Sequence, residues 1–228
     1  MHHENSGVSV ERRALLLLSG ASALVVGCGR AFASSEDKAF AGFLTAAAEE
    51  LGALLPATTP GQQDEFIYTA AAKVRRATGI PFPDGMKETG LDIRPIDQTA
   101  VFSVVAYRAA PGVIQPPHNH PGYSVATMGI EGAVRVSYFE HDGTPPSYAS
   151  REAFRIRKTM ERWLKPRDIA TLTPSRDNIH TFEAGPNGAR WIDINSLLVP
   201  GAGDFSYMRL AAATSERTGD LYQARWGR

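Results

Sequence analysis

The chain has 228 residues, 24 Lys+Arg against 24 Asp+Glu, 43% hydrophobic and 21% charged residues, and one cysteine. This length fits one domain of about 100–200 residues with an appendage, and the composition is globular rather than disordered. Zero net charge argues against nucleic acid or an anionic membrane as partner, and a lone cysteine excludes a disulfide framework or a multi-cysteine zinc site.

The chain opens with a leader. Arg12 and Arg13 precede a 14-residue apolar run, Ala14 to Gly27, and then Ala31-Phe32-Ala33. A positive segment, an apolar core of about 7–15 residues and a small-x-small site describe an export signal. The run is too short to span a bilayer, which takes about 20 residues, so no transmembrane helix is expected. The arginine pair resembles a twin-arginine signal, with Glu11 at an unusual position before it and a plain Sec signal as the alternative. Cleavage after Ala33 defines residues 1–33 as a signal peptide and sends the protein to the periplasm or the exterior. Leu24-Val25-Val26-Gly27-Cys28 resembles a lipobox, so a lipid anchor on Cys28 is the competing outcome. Removal of 33 residues leaves 195, with 21 basic and 22 acidic side chains and no cysteine.

Residues 34–90 read as a helical extension. Phe40, Phe43, Leu44, Ala47, Leu51 and Leu54 recur on one face of a helix over Ser35–Leu55. A second helix starts at Thr59-Pro60-Gly61-Gln62, where Thr59 suits the N-cap, Pro60 the first turn and Gln62 a capping box. It is expected to run to Gly79, with Pro81 beyond, and the two helices to cover a sheet face or edge.

Residues 91–228 change to short β segments. Candidates are Ala100–Arg108, Ser124–Met128, Ala133–Phe139, Ala153–Arg157, Ile169–Leu172, Ile179–Glu183 and Arg190–Leu198, bounded by Gly, Pro, Asn or Asp. Their spacing without intervening helices predicts a closed β-sandwich or small barrel.

Of six histidines, His2 and His3 fall in the leader, and His141, in Glu140-His141-Asp142-Gly143, reads as an exposed turn residue. The others carry chemistry. His118 and His120, in Pro116-Pro117-His118-Asn119-His120-Pro121-Gly122, project from one face if the segment is extended. His180, in Asp177-Asn178-Ile179-His180, opens a later strand after a turn at Thr173–Arg176. Two imidazoles on one face are half of a metal site, and only a barrel brings the third beside them. Asn119 and Asn178 flank the ligands, with side chains expected to point away from the metal.

This set resembles a cupin, the jelly-roll or double-stranded β-helix barrel, with one motif around His118 and His120 and a second from Pro174 to His180. The glutamate of the usual first cupin motif is missing, since Ser124 and Val125 occupy its place. A three-histidine set is the pattern of the thiol dioxygenases. The resemblance is closest to the cysteamine dioxygenase and plant cysteine oxidase family, through His118–Gly122, Asn178–Phe182, Trp191-Ile192-Asp193-Ile194 and Asp204-Phe205-Ser206-Tyr207-Met208. It covers roughly residues 95–210. Met128 stands where the family carries a lysine, and Phe205 and Met208 replace a cysteine and a tyrosine.

The resemblance implies a non-haem Fe(II) dioxygenase that converts a small aminothiol or an N-terminal cysteine to a sulfinic acid with O₂. It implies one iron held by His118, His120 and His180, with Asp193 and Tyr207 as catalytic residues and Tyr123 and Met128 lining the substrate pocket. Three neutral imidazoles leave the ion its full charge, which favours an incoming thiolate. Asp193 would hold a histidine Nδ1–H or receive a substrate amine. Imidazole also suits Mn, Ni and Zn. A cupin enzyme of other chemistry, or a non-enzymatic binding module of the cell envelope, are the alternative readings.

Overall fold

In a computed structural model of the protein, the described residues are 35–54, 59–99, 102–120, 122–197, 206–210 and 220–227. The leader, Cys28 and residues 198–205 lie outside them. Two helices come first, α1 (Ser35–Leu54) and α2 (Pro60–Val74). The capping box of α2 forms as expected: the Gln62 amide donates to Thr59 Oγ1 at 3.3 Å, and the Thr59 amide donates to Gln62 Oε1 at 2.8 Å. The helix is shorter than expected and ends at Val74; Gly79, with φ of 64°, belongs to the following turn.

Nine strands follow: β1 (Leu91–Gln98), β2 (Phe102–Ala109), β3 (Ile114–Asn119), β4 (Tyr123–His141), β5 (Phe154–Leu164), β6 (Ile169–Leu172), β7 (Ile179–Leu197), β8 (Ser206–Leu210) and β9 (Leu221–Trp226). They form one antiparallel sheet in the order β1-β2-β7-β3-β8-β9-β5-β4-β6, and an added β4–β7 pairing curls it on itself. The fold is therefore mainly β, as expected, an antiparallel sheet curled on itself with two helices packed against it.

Ser124–Met128 and Ala133–Phe139 are the two ends of one 19-residue strand, β4; Ile179–Glu183 and the described part of Arg190–Leu198, to Leu197, likewise fuse into β7. Strands this long must bend, and the register shifts at Gly129/Glu131 and Gly132/Val134 do so. Gly132 has φ of 68°, and a Cβ there would lie 2.3 Å from the Gly188 carbonyl oxygen. Glycine is what lets the two backbones approach so closely. Pro95 sits on β1 at the sheet edge, where a missing amide costs no ladder bond.

Strand alternation sorts the residues into two layers. Phe102, Val104 and Ala106 of β2, Ala126 and Met128 of β4, and Ile192 and Ile194 of β7 pack against Phe40, Phe43, Leu51, Phe66 and Ile67 of the helices. Each of the larger side chains among these, Val, Leu, Ile, Phe or Met, contributes about 1.5–3 kcal/mol on burial. The helical extension thus shares a core with the sheet. The opposite face carries Val125, Val134, Val136, Tyr138, Phe182 and Trp191 into the barrel. Arg176 donates to Tyr68 Oη at 2.5 Å, tying α2 to the turn that precedes His180.

Candidate metal centre

His118 lies on β3, His120 just past its end, and His180 at the start of β7, where His118 and His180 are register partners. All three are buried, and they are the described group of ligand side chains able to share one ion. The Nε2 atom of His180 lies 2.9 Å from Nε2 of His120 and 2.9 Å from Nε2 of His118. His118 Nδ1 lies 2.9 Å from the Pro116 carbonyl oxygen, which can only accept. That contact places the proton on Nδ1 and leaves the Nε2 lone pair facing inward.

Burial drives all three rings towards the neutral form, with His118 lowered to about 4 and His120 and His180 well below the ordinary histidine value. The mutual repulsion of the rings adds to the effect at His120 and His180. Neutral imidazoles are what a metal needs, because a ligating nitrogen must be free of its proton. Three buried imidazole nitrogens converging at 2.9 Å form an arrangement that one shared divalent cation would satisfy. The donor set fits a divalent ion such as iron, and contains no carboxylate.

The two ligand segments are joined through Asn178. Its Oδ1 accepts from the His120 amide at 2.8 Å, and its Nδ2 donates to the Pro174 carbonyl at 3.1 Å. Asn119 is buried between the two histidines of β3, and its Nδ2 donates to Tyr148 Oη at 3.0 Å. Both asparagines point away from the ligand cluster, as alternation predicts.

Tyr123 is buried edge-on to His120, with ring centroids 4.6 Å apart. Asp193 is buried and accepts from Thr127 Oγ1 at 2.5 Å and from the Tyr107 side chain. Its carboxyl is pushed up to about 7 by burial, against the pull of those two donors. It holds no histidine Nδ1: His118 uses Pro116, while Nδ1 of His120 and of His180 are buried without a partner. Tyr207 is the register partner of His118 across β3–β8, which places its backbone beside the cluster.

Met128 differs from expectation. It belongs to the layer under the helices, because its neighbours Thr127 and Val125 take the inward positions of β4. His141 also differs. It is half-buried against Phe154 and Trp226, at 5.6 and 5.9 Å, and burial lowers its pKa.

Four further residues line the interior, of which Tyr138 and Tyr107 carry no signal in a linear reading. Tyr138 is the register partner of His180 and stacks on it at 6.0 Å, and its buried hydroxyl has no partner. Burial and the Asp193 charge push that hydroxyl well above the ordinary tyrosine value. Phe182, Trp191 and Tyr107 continue the wall, with ring centroids 4.5 Å apart for His180–Phe182, 5.2 Å for Phe182–Trp191 and 5.1 Å for Trp191–Tyr107. Period-two alternation suggests such faces, but cross-strand partners depend on register.

No model of a protein family matches the chain. One curated relative is the 2-aminoethanethiol dioxygenase of Mus musculus, 26% identical over 137 residues, 53% of this chain and 53% of that protein. The chain thus spans about half the length of that relative. Solved structures with a similar chain path include a Klebsiella pneumoniae protein with a double-stranded β-helix domain (19% identity, 56% of this chain, 89% of that one, TM-score 0.36). Another is a cupin superfamily protein of Desulfitobacterium hafniense (12% identity, 51% and 90%, TM-score 0.37). The strand topology and the three buried histidines define a β-barrel with a candidate metal centre. No described helix is long and apolar enough to cross a membrane.

Proposed function

We propose that this protein is an Fe(II)-dependent thiol dioxygenase that converts R–SH and O₂ to the sulfinic acid R–SO₂H. The observation that carries the reading is the convergence of three buried, neutral imidazoles without a carboxylate. The similarity to a 2-aminoethanethiol dioxygenase supports the thiol. When bound, the ion would supply a cationic site for the thiolate and a means of engaging O₂.

The chain's own residues do the rest. His118, His120 and His180 hold the ion, with the proton of His118 kept on Nδ1 by Pro116. Tyr123 and Tyr138 pack on two of the ligand rings and limit solvent around them. Asp193, steadied by Thr127 and Tyr107, would take the ammonium of an aminothiol or of an N-terminal cysteine. A carboxyl poised near 7 ionises readily once that cation arrives. Tyr207, whose backbone pairs with that of His118, is the second candidate catalytic residue. Residues 1–33 would direct export.

Oxygen consumption by iron-replete protein against cysteamine, cysteine and Cys-initiated peptides tests the proposal. Thiol-dependent uptake with a sulfinic product is expected, and its absence for every thiol rejects the activity. Metal content of protein purified from its native compartment separates iron from Mn, Ni or Zn. Mass spectrometry of that sample, starting at Ser34 or at a lipidated Cys28, tests the leader.

A further inference from the structure

The metal ligands of β3 are backed by a structure on the far side of the sheet. Asn119 stands between His118 and His120, and its amide is buried and anchored on Tyr148 Oη at 3.0 Å. Tyr148 lies in the connection between β4 and β5. Its ring packs on Trp226 of β9 with centroids 4.6 Å apart, and the Trp226 indole N–H donates to the Pro146 carbonyl at 2.9 Å. Trp226 is itself buried against Phe154 at 4.7 Å. The connection is therefore clamped to β9 and holds the tip of β3 by one side chain.

We infer that Tyr148, through its hydrogen bond to Asn119, is a positioning residue that sets the orientation of His118 and His120 towards the ion. Side chains alternate across a strand, so turning Asn119 about the strand axis swings both neighbouring imidazoles together. His118 has a second restraint in Pro116, whereas Nδ1 of His120 has none. The Asn119 anchor thus fixes a rotation that contacts of the rings leave partly open. Partners that orient metal-binding histidines usually act on the ring itself; here the restraint comes through the intervening residue. The inference rests on the reading of the three histidines as a metal site.

Tyr148 is 52% exposed, so Tyr148→Phe removes one hydroxyl and keeps the ring on Trp226. Metal-free wild-type and Tyr148→Phe protein are titrated with Co(II), read by visible absorption, and melted without metal. The expected result is about tenfold weaker Co(II) binding and an altered absorption band in the variant, with an unchanged melting temperature of the metal-free protein. Asn119→Ala and the double variant complete a cycle in which the double variant binds no more weakly than the weaker single one. Unchanged affinity and spectrum in Tyr148→Phe overturn the positioning role. So does a lower melting temperature with metal binding intact. A wild-type protein that binds no Co(II) rejects the metal reading itself, and the positioning role falls with it.

Discussion

The backbone amide of His120 donates to two oxygens of one residue, Oδ1 and the main-chain carbonyl of Asn178, at 2.8 and 3.1 Å. Asn178 lies two residues before His180. Segments separated by about sixty positions in sequence are thereby joined next to the atoms that would hold the ion.

Replacing Asn178 by alanine removes the side-chain half of this junction and the bond to Pro174, while the main-chain carbonyl still serves His120. The variant is expected to lose about 1 kcal/mol of stability. Its metal affinity falls further, about tenfold or more, because the loss acts on ligand placement. Chemical denaturation and Co(II) titration of the same preparation check both. Equal affinity in variant and wild type contradicts the assignment.

Asp193→Asn tests the amine-binding role. A charged hydrogen bond contributes about 1.5–3 kcal/mol, so KM for cysteamine should rise about 10–100-fold. A thiol without an amine should be handled as before. The comparison is steady-state O₂ uptake with both thiols, and a parallel loss for the two counts against the role.

The metal-free protein should lose stability as pH falls below about 6.5. Folded His118 titrates only at about 4, and burial likewise holds His120 and His180 well below the ordinary value, whereas unfolded histidine titrates near 6.5. Below 6.5 the unfolded chain therefore binds protons that the folded chain refuses, and stability present above that pH is lost. Asp193 works in the opposite sense. Its folded carboxyl, at about 7 against an ordinary 3.8, keeps a proton that the unfolded chain releases, so its contribution declines as pH rises from 3.8 to 7. The lowered histidines, four with His141, outweigh the one raised carboxyl, so net stability falls as pH falls. Urea midpoints at pH 7, 6 and 5 should fall in that order; a level series contradicts the burial of neutral rings.

Gly132→Ala and Gly112→Ala separate strain from collision. Both glycines have positive φ, 68° and 69°, but a Cβ at Gly112 meets nothing within 4 Å, whereas at Gly132 it meets backbone at 2.3 Å. Gly112→Ala should cost about 1–2 kcal/mol, the penalty of that backbone region. Gly132→Ala should cost clearly more, because neither β4 nor β7 can yield without disturbing the pairing that closes the barrel. Denaturant unfolding of the two variants checks the order.

The ligands were legible in the sequence because their signal is local. His118 and His120 share a face through the two-residue period of a strand, and the turn before His180 announces another strand start. The capping box of α2 was legible for the same reason, since Thr59 and Gln62 satisfy each other's backbone. β3 was harder to see, because Pro116 and Pro117 hide a strand whose ladder skips them between Gln115 and His118. The fusion of four predicted segments into β4 and β7 was hidden by Gly129, Gly132 and Gly188. In one dimension these residues look like turns; in the folded sheet they are bends.

What the sequence by itself determined is the candidate pair His118 and His120, the mainly β class and the apolar helix faces, all consequences of residue type and short-range period; the pairing of β3 with β7 brought His180 to them. Only the tertiary structure decided which way each strand faces and what stands across from it. Met128 went to the helices and Thr127 to Asp193, and Tyr138 came to lie on His180. His141 left its supposed turn for the pocket of Trp226. Register is set by the pairing of distant segments, and a shift of one residue exchanges every inward side chain for an outward one. No local pattern of residues contains that information.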